Sequence, residues 1–148
     1  MYFINSELAL KPETTAASYF YAKDLFNHGA MPPLCVYQAS KSYRKENDTP
    51  TKHCRFKEFY QIEFQCIYTE DTKNDYQENT IQDISNLISN LLNLQTRIVL
   101  SDRLPSYSKK TIDIEVFNGD KWMEIASISL RTDFGEITMK NKQSNCLV

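Results

Sequence analysis

Apolar and polar positions alternate most clearly over residues 55–68. Phe56, Tyr60, Ile62, Phe64, Cys66 and Tyr68 share one parity, which predicts a core-facing row. Arg55, Lys57, Gln61, Glu63 and Gln65 share the other. Period two is the signature of a half-buried strand. Two residues break it: Glu58 falls on the apolar side and Phe59 among the charges. Alternation by itself is also what an ordinary amphipathic strand of an antiparallel sheet gives. Phe59 is the feature that points further, to a flat ligand stacked on the polar face.

Residues 34–46 predict a partner strand. Their apolar residues gather at Leu34, Cys35, Val36 and Tyr37, and Gln38, Ser42, Arg44 and Glu46 then share one parity. The turn-rich stretch 47–52 joins the two strands into a hairpin. Antiparallel pairing brings Arg44, Glu46, Arg55, Phe59 and Glu63 toward one face near that loop.

Two helices are expected. Pro12 suits a helix start just after it, and Ala16, Tyr19, Lys23 and Phe26 trace a stripe that ends near His28-Gly29. Thr80 with Asp83 resembles a capping box, followed by a stripe of Ile81, Ile84, Leu87, Ile88, Leu91 and Leu94. Residues 97–100 predict a short strand. Residues 111–117 alternate, with Ile112, Ile114 and Val116 inward and Thr111, Asp113 and Glu115 outward. Asn118-Gly119 is a strong hairpin turn, and residues 121–133 form the returning strand. Residues 1–10 hold short apolar pieces that suit an edge strand. Antiparallel strands with two main helices predict an α+β fold, a sheet flanked by helices.

Composition narrows the function classes. A chain of 148 residues is one domain's worth, and a net charge of -2 gives no global basic field for nucleic acid. DNA and membranes are not expected partners. Four widely spaced cysteines and two histidines, without Cys-x-x-Cys, argue against zinc. Neither a signal peptide nor a long apolar run is present, which predicts a reduced, cytoplasmic setting. The sequence holds no glycine-rich phosphate loop and no Ser/His/Asp or Cys/His set. Phosphate chemistry here would rest on arginines, carboxylates and a metal ion.

Four stretches, in order over about residues 8 to 134, resemble the catalytic core of glycyl-tRNA synthetase, a class II aminoacyl-tRNA synthetase. Leu10-Lys11-Pro12-Glu13-Thr14 is similar to the family's Leu-Arg-Pro-Glu-Thr. Ser42-Tyr43-Arg44-Lys45-Glu46, a loop, and Arg55-Phe56-Lys57-Glu58-Phe59 resemble its motif 2. Tyr107-Ser108-Lys109-Lys110-Thr111-Ile112-Asp113 resembles Tyr-Ala-Lys-x-Thr-x-Asp. Residues 122–133 resemble Trp-x-Glu-Leu-x-Gly-Ile-x-x-Arg-Thr-Asp.

The resemblance implies ATP-dependent activation of glycine to glycyl-adenylate, followed by transfer to tRNA-Gly, with ATP and Mg2+ as cofactors. It implies Arg44 as the catalytic cation on the α-phosphate, a role its planar fork suits. Glu46, Glu58 and Phe59 would join it in binding ATP, with Phe59 under adenine. Glu13, Arg55 and Glu63 would bind glycine. Glu124 would help hold magnesium; Ser127 would assist, but its opposite strand parity requires a bulge. The chain is expected to be a single core domain over residues 1–148, without motif 1, motif 3 or the anticodon-binding domain. A homodimer or a companion chain is then the expected protein partner. The alternative left open is a synthetase-derived paralogue without full catalysis, acting as a nucleotide- or RNA-binding accessory module.

Overall fold

The two alternating stretches do pair as a long antiparallel ribbon, but the side of it that is covered is the polar one. In a computed structural model, the structure describes residues 1–45, 56–69, 76–132, 136–139 and 142–147. Nine strands and two helices are described: β1 (Tyr2–Phe3), β2 (Ala9–Leu10), α1 (Thr15–Asn27), β3 (Leu34–Tyr43), β4 (Glu58–Thr69), α2 (Tyr76–Leu92), β5 (Thr96–Leu100), β6 (Ser108–Phe117), β7 (Trp122–Arg131), β8 (Glu136–Met139) and β9 (Lys142–Leu147). The class is α+β, antiparallel sheets with helices, as the pattern predicts. The chain divides into two compact units, residues 1–67 with 138–142, and residues 68–137 with 143–148.

In the first unit β3 and β4 pair from Leu34↔Ile67 to Tyr43↔Glu58. Helix α1 lies against this ribbon and turns Thr15, Ser18, Ala22 and Phe26 inward. That stripe is one residue out of step with Ala16, Tyr19 and Lys23, because small and hydroxyl side chains let the helix approach a polar strand face. Gly29 closes the helix in the left-handed conformation (φ 95°), as expected for a glycine just past a helix end. Ala22, Phe26, Val36 and Ile67 are buried and form this unit's apolar core.

The row Phe56, Tyr60, Ile62 and Phe64 is therefore not a core face. These side chains are 50–77% exposed, while Ser42 and Gln65 on the opposite face are buried. The physical reason is coverage. Helix α1 is the one helix described in this unit, and Thr15 at its start donates to Glu63 on the polar face.

In the second unit β6 is the central strand between β5 and β7. Helix α2 packs on this sheet. Ile112, Ile114 and Val116 are buried as expected. Thr111 and Asp113, expected outward, are buried as well. Helix α2 starts four residues before Thr80, so Thr80 and Asp83 lie inside the helix rather than capping it. The stripe is unevenly covered: Ile81 is buried, Ile84 and Ile88 are half-buried, and Leu87 and Leu91 are 56% and 73% exposed. At the end of β4, Tyr68 and Thr69 pair with Leu147 and Cys146 of β9.

Candidate active site

The polar face of the β3–β4 ribbon carries Gln38, Ser40 and Ser42 opposite Glu63, Gln61 and Phe59. The chain just before α1 is laid along it. The amide of Tyr43 donates to the carbonyl of Lys11 (2.9 Å), and Lys11 Nζ donates to Ser40 Oγ (2.6 Å). Ser42 Oγ in turn donates to Gln61 Oε1 at 2.8 Å. Pro12 through Thr15 are thereby held over the strand residues that carry charge.

Glu63 is the centre of this arrangement. Thr14 Oγ1 donates to its Oε2 at 2.7 Å and Thr15 Oγ1 to its Oε1 at 2.6 Å. Gln65 Nε2 also donates to Oε1. Thr14 occupies the N-cap position of α1, yet its side chain makes no capping bond. Its hydroxyl is committed to Glu63 instead. An ionised carboxylate has about four lone-pair sites, so three donors fix its orientation and leave room for another cationic donor.

Arg44 lies on the same face, just past the last residue of β3. Its amide donates to the carbonyl of Lys57 at 3.0 Å, continuing the strand pairing. Its guanidinium carbon lies 5.2 Å from the centroid of the Phe59 ring, within cation–π range. Its Nε donates to the Pro12 carbonyl at 3.3 Å. Glu13 is exposed, one residue before Thr14. Arg44, Phe59, Glu63 and the segment carrying Glu13 thus share one face of one unit.

Glu58 does not join them. It projects to the opposite face of β4 and pairs with Lys41 Nζ at 2.5 Å. That carboxylate raises the Lys41 pKa, chiefly through the hydrogen bond and then through its charge. Glu46 and Arg55 lie outside the described residues.

In the second unit the face of β6 away from Ile114 carries Thr111, Asp113 and Glu115. Opposite them on β7 are Ser129, Ser127 and Glu124. The register steps from Ile114↔Ala126 to Glu115↔Glu124, which makes Ile125 an extra, bulged residue. The bulge brings Glu124 and Ser127 onto the same face, despite their opposite parity in the sequence. Asp113 is 7% exposed, and its Oδ1 finds no partner among the described residues. Oxygen donors of this kind suit magnesium, which ordinarily combines one or two carboxylates with phosphate oxygens and water. Among the described residues, no three His, Cys, Asp or Glu side chains are grouped closely enough to hold a metal by themselves. The donor set therefore fits a magnesium ion that arrives on a phosphate, not a closed protein cage. Nearby, the Arg97 guanidinium stacks 4.4 Å over Trp122 and donates to Glu115 at 2.5 Å. At the strand end the Thr132 amide donates to the Tyr107 carbonyl at 2.9 Å, and the Arg131 guanidinium stacks on the Tyr107 ring. Asp133 lies outside the described residues.

Sequence reasoning missed Thr14, Thr15 and Gln65, which orient Glu63, and the burial of Asp113. The signal for the threonines was their place directly after Pro12-Glu13, at a helix start. It reads first as capping chemistry, because hydroxyls there usually bond their own helix.

A family model described as "tRNA synthetase class II core domain (G, H, P, S and T)" matches residues 4–145. The glycine–tRNA ligase of Corynebacterium efficiens is 30% identical over 133 residues, covering 84% of this chain and 29% of the relative. That of Bifidobacterium longum is 28% identical over 148 residues, covering 95% and 30%. That of Mycoplasmopsis synoviae is 29% identical over 141 residues, covering 92% and 31%. The chain thus spans about three-tenths of the length of these relatives. With the family model matching nearly its whole length, the chain belongs to the class II tRNA synthetase core-domain family.

Proposed function

We propose that this chain carries the site at which glycine is activated with ATP to glycyl-adenylate, for transfer to tRNA-Gly. The observation that supports this most is the gripped carboxylate of Glu63 beside the Arg44–Phe59 stack. Glu63, held by Thr14, Thr15 and Gln65, receives the α-ammonium group of glycine. Glu13 adds negative charge from the adjoining segment. Clustered carboxylates suit a small ammonium substrate such as glycine.

Adenine stacks on Phe59, beside the Arg44 guanidinium. That guanidinium serves the α-phosphate. A carboxylate oxygen of glycine attacks that phosphorus, a new P–O bond forms, and the bond to the β-phosphate oxygen breaks. Pyrophosphate leaves with the electron pair. Negative charge gathers on the non-bridging α-phosphate oxygens, where a fixed cation lowers the barrier most. Arg44 meets both needs, since its fork binds phosphate oxygens and stays charged. In the second unit, Glu124 and Ser127 are the protein oxygens that would hold a magnesium ion, which would supply positive charge to phosphate oxygens.

Glycine-dependent exchange of pyrophosphate into ATP tests this reading. The wild-type chain is expected to exchange, and Arg44→Ala to lower the rate by about 10²–10³-fold, the usual cost of one transition-state donor. An unchanged rate in the Arg44 variant would overturn the assignment. ATP binding without any exchange would place the chain instead among nucleotide-binding accessory modules.

A further inference from the structure

The face of the β3–β4 ribbon turned away from α1 holds a feature that the activation site does not use. Cys35 and Cys66 are direct cross-strand partners, and their Sγ atoms lie 2.6 Å apart. The hydrogen-bond phase of the ribbon explains the closeness. The amide of Arg44 donates to the carbonyl of Lys57, so residues 44 and 57 form a hydrogen-bonded pair. Pair types alternate along an antiparallel ladder. Counting back along the printed register, Cys35↔Cys66 is a non-hydrogen-bonded pair. In such pairs the Cα atoms are about 4.5 Å apart and the side chains lean together. That spacing lies inside the window of about 4.4–6.8 Å that a disulfide spans without backbone movement. Cys35 is exposed and Cys66 is half-buried.

We propose that Cys35 and Cys66 form an oxidisable dithiol, a modification site that closes to a cross-strand disulfide when it meets a small disulfide such as glutathione disulfide. The exposed Cys35, as thiolate, attacks one sulfur of the oxidant. A mixed disulfide forms and one glutathione thiolate leaves. Cys66 then loses its proton to solvent, and its thiolate attacks Cys35 Sγ and expels the second glutathione. The protein gives up two electrons, and the oxidant is reduced to two thiols. The order follows from the surroundings. Burial, then the contact with Cys35, pushes the Cys66 thiol up to about 12, so it keeps its proton at the start. Conversion of Cys35 to the mixed disulfide places an electrophilic sulfur directly across the ladder from Cys66 Sγ. This site is independent of the synthetase reading, because none of its chemistry uses the Arg44–Glu63 face.

The test uses the full chain with Cys54→Ser and Cys146→Ser, treated with glutathione disulfide and followed by intact mass. The expected product is lighter by two hydrogen atoms, resists alkylation at both positions and is reversed by dithiothreitol. Adding Cys66→Ser is expected to halt the reaction at a glutathione adduct on Cys35. Closure in denaturing urea is expected to be slower by at least about tenfold, because the ribbon no longer supplies the proximity. Any of three results would overturn the proposal: a stable glutathione adduct with Cys66 present, a covalent dimer in place of an internal bond, or equal closure rates in urea and in buffer. The urea comparison needs no further substitution, so it still decides the matter if the Cys66 variant fails to fold.

Discussion

In the β5–β6–β7 sheet, the apolar side of the central strand is buried as its chemistry suggests: Ile114 and Val116 are wholly inaccessible. In the β3–β4 ribbon, the covered side is the polar one, and Ile62 and Phe64 on the apolar side are 64% and 59% exposed. The difference lies in what each helix brings. Helix α2 turns Ile81 and Ser85 inward, and its one described polar contact with the sheet is neutral, Ser85 Oγ donating to Thr96 Oγ1 at 3.4 Å. Helix α1 presents Thr15 and Ser18, and with Thr14 it meets a carboxylate through hydroxyls. Alternation reveals that a strand has two faces. The composition of the neighbouring helix decides which face is inside.

The largest test of that contrast is Ile114→Ala. A fully buried isoleucine truncated to alanine loses its transfer free energy and leaves a cavity, at a cost of about 2–5 kcal/mol. Denaturant unfolding should show the midpoint fall by a matching amount with little change in slope. A cost near zero would mean that β6 is not the core strand of its unit.

Much of this was legible in the sequence, for reasons that can be named. The hairpin of β3 and β4, the turn at Asn118-Gly119 and the closure of α1 at Gly29 follow from local backbone chemistry, and they appear where the residues place them. The approach of Phe59 and Glu63 to one face also followed from parity. The side of burial did not, because it depends on a helix forty residues away in sequence. The burial of Asp113 was equally hidden, since an alternating Thr-Ile-Asp-Ile pattern looks the same whether its polar side meets solvent or protein. The bulge at Ile125 was named only as a requirement for Ser127, as no glycine or proline marks it.

A smaller effect separates the two ribbon faces by pH. Burial pushes the Cys66 thiol from its ordinary 9.0 up to about 12 in the folded chain. Its neutral form is therefore favoured by folding. The stability it contributes is fully present below pH 9.0 and is lost as pH rises toward about 12. Lys41, raised by Glu58 on the same face, acts in the same direction at higher pH. Melting temperature should fall across this window, and Cys66→Ser should flatten the fall. An equally steep fall in the variant would show that the thiol is not held neutral.

The smallest expected effect is the most searching one for the ribbon. Ile62 projects from the uncovered face, across from Ala39 and between Tyr60 and Phe64 on its own strand side. An isoleucine that is already 64% in water has little transfer free energy left to lose. Ile62→Ser should therefore change unfolding free energy by no more than about 0.5 kcal/mol, the ordinary range for surface positions. The same substitution on a covered face would strip an apolar contact and bury a hydroxyl, with a cost several times larger. A loss above about 2 kcal/mol would place Ile62 in a core, remove the asymmetry between the two faces, and reduce the polar face of Glu63 to one side of a strand buried on both.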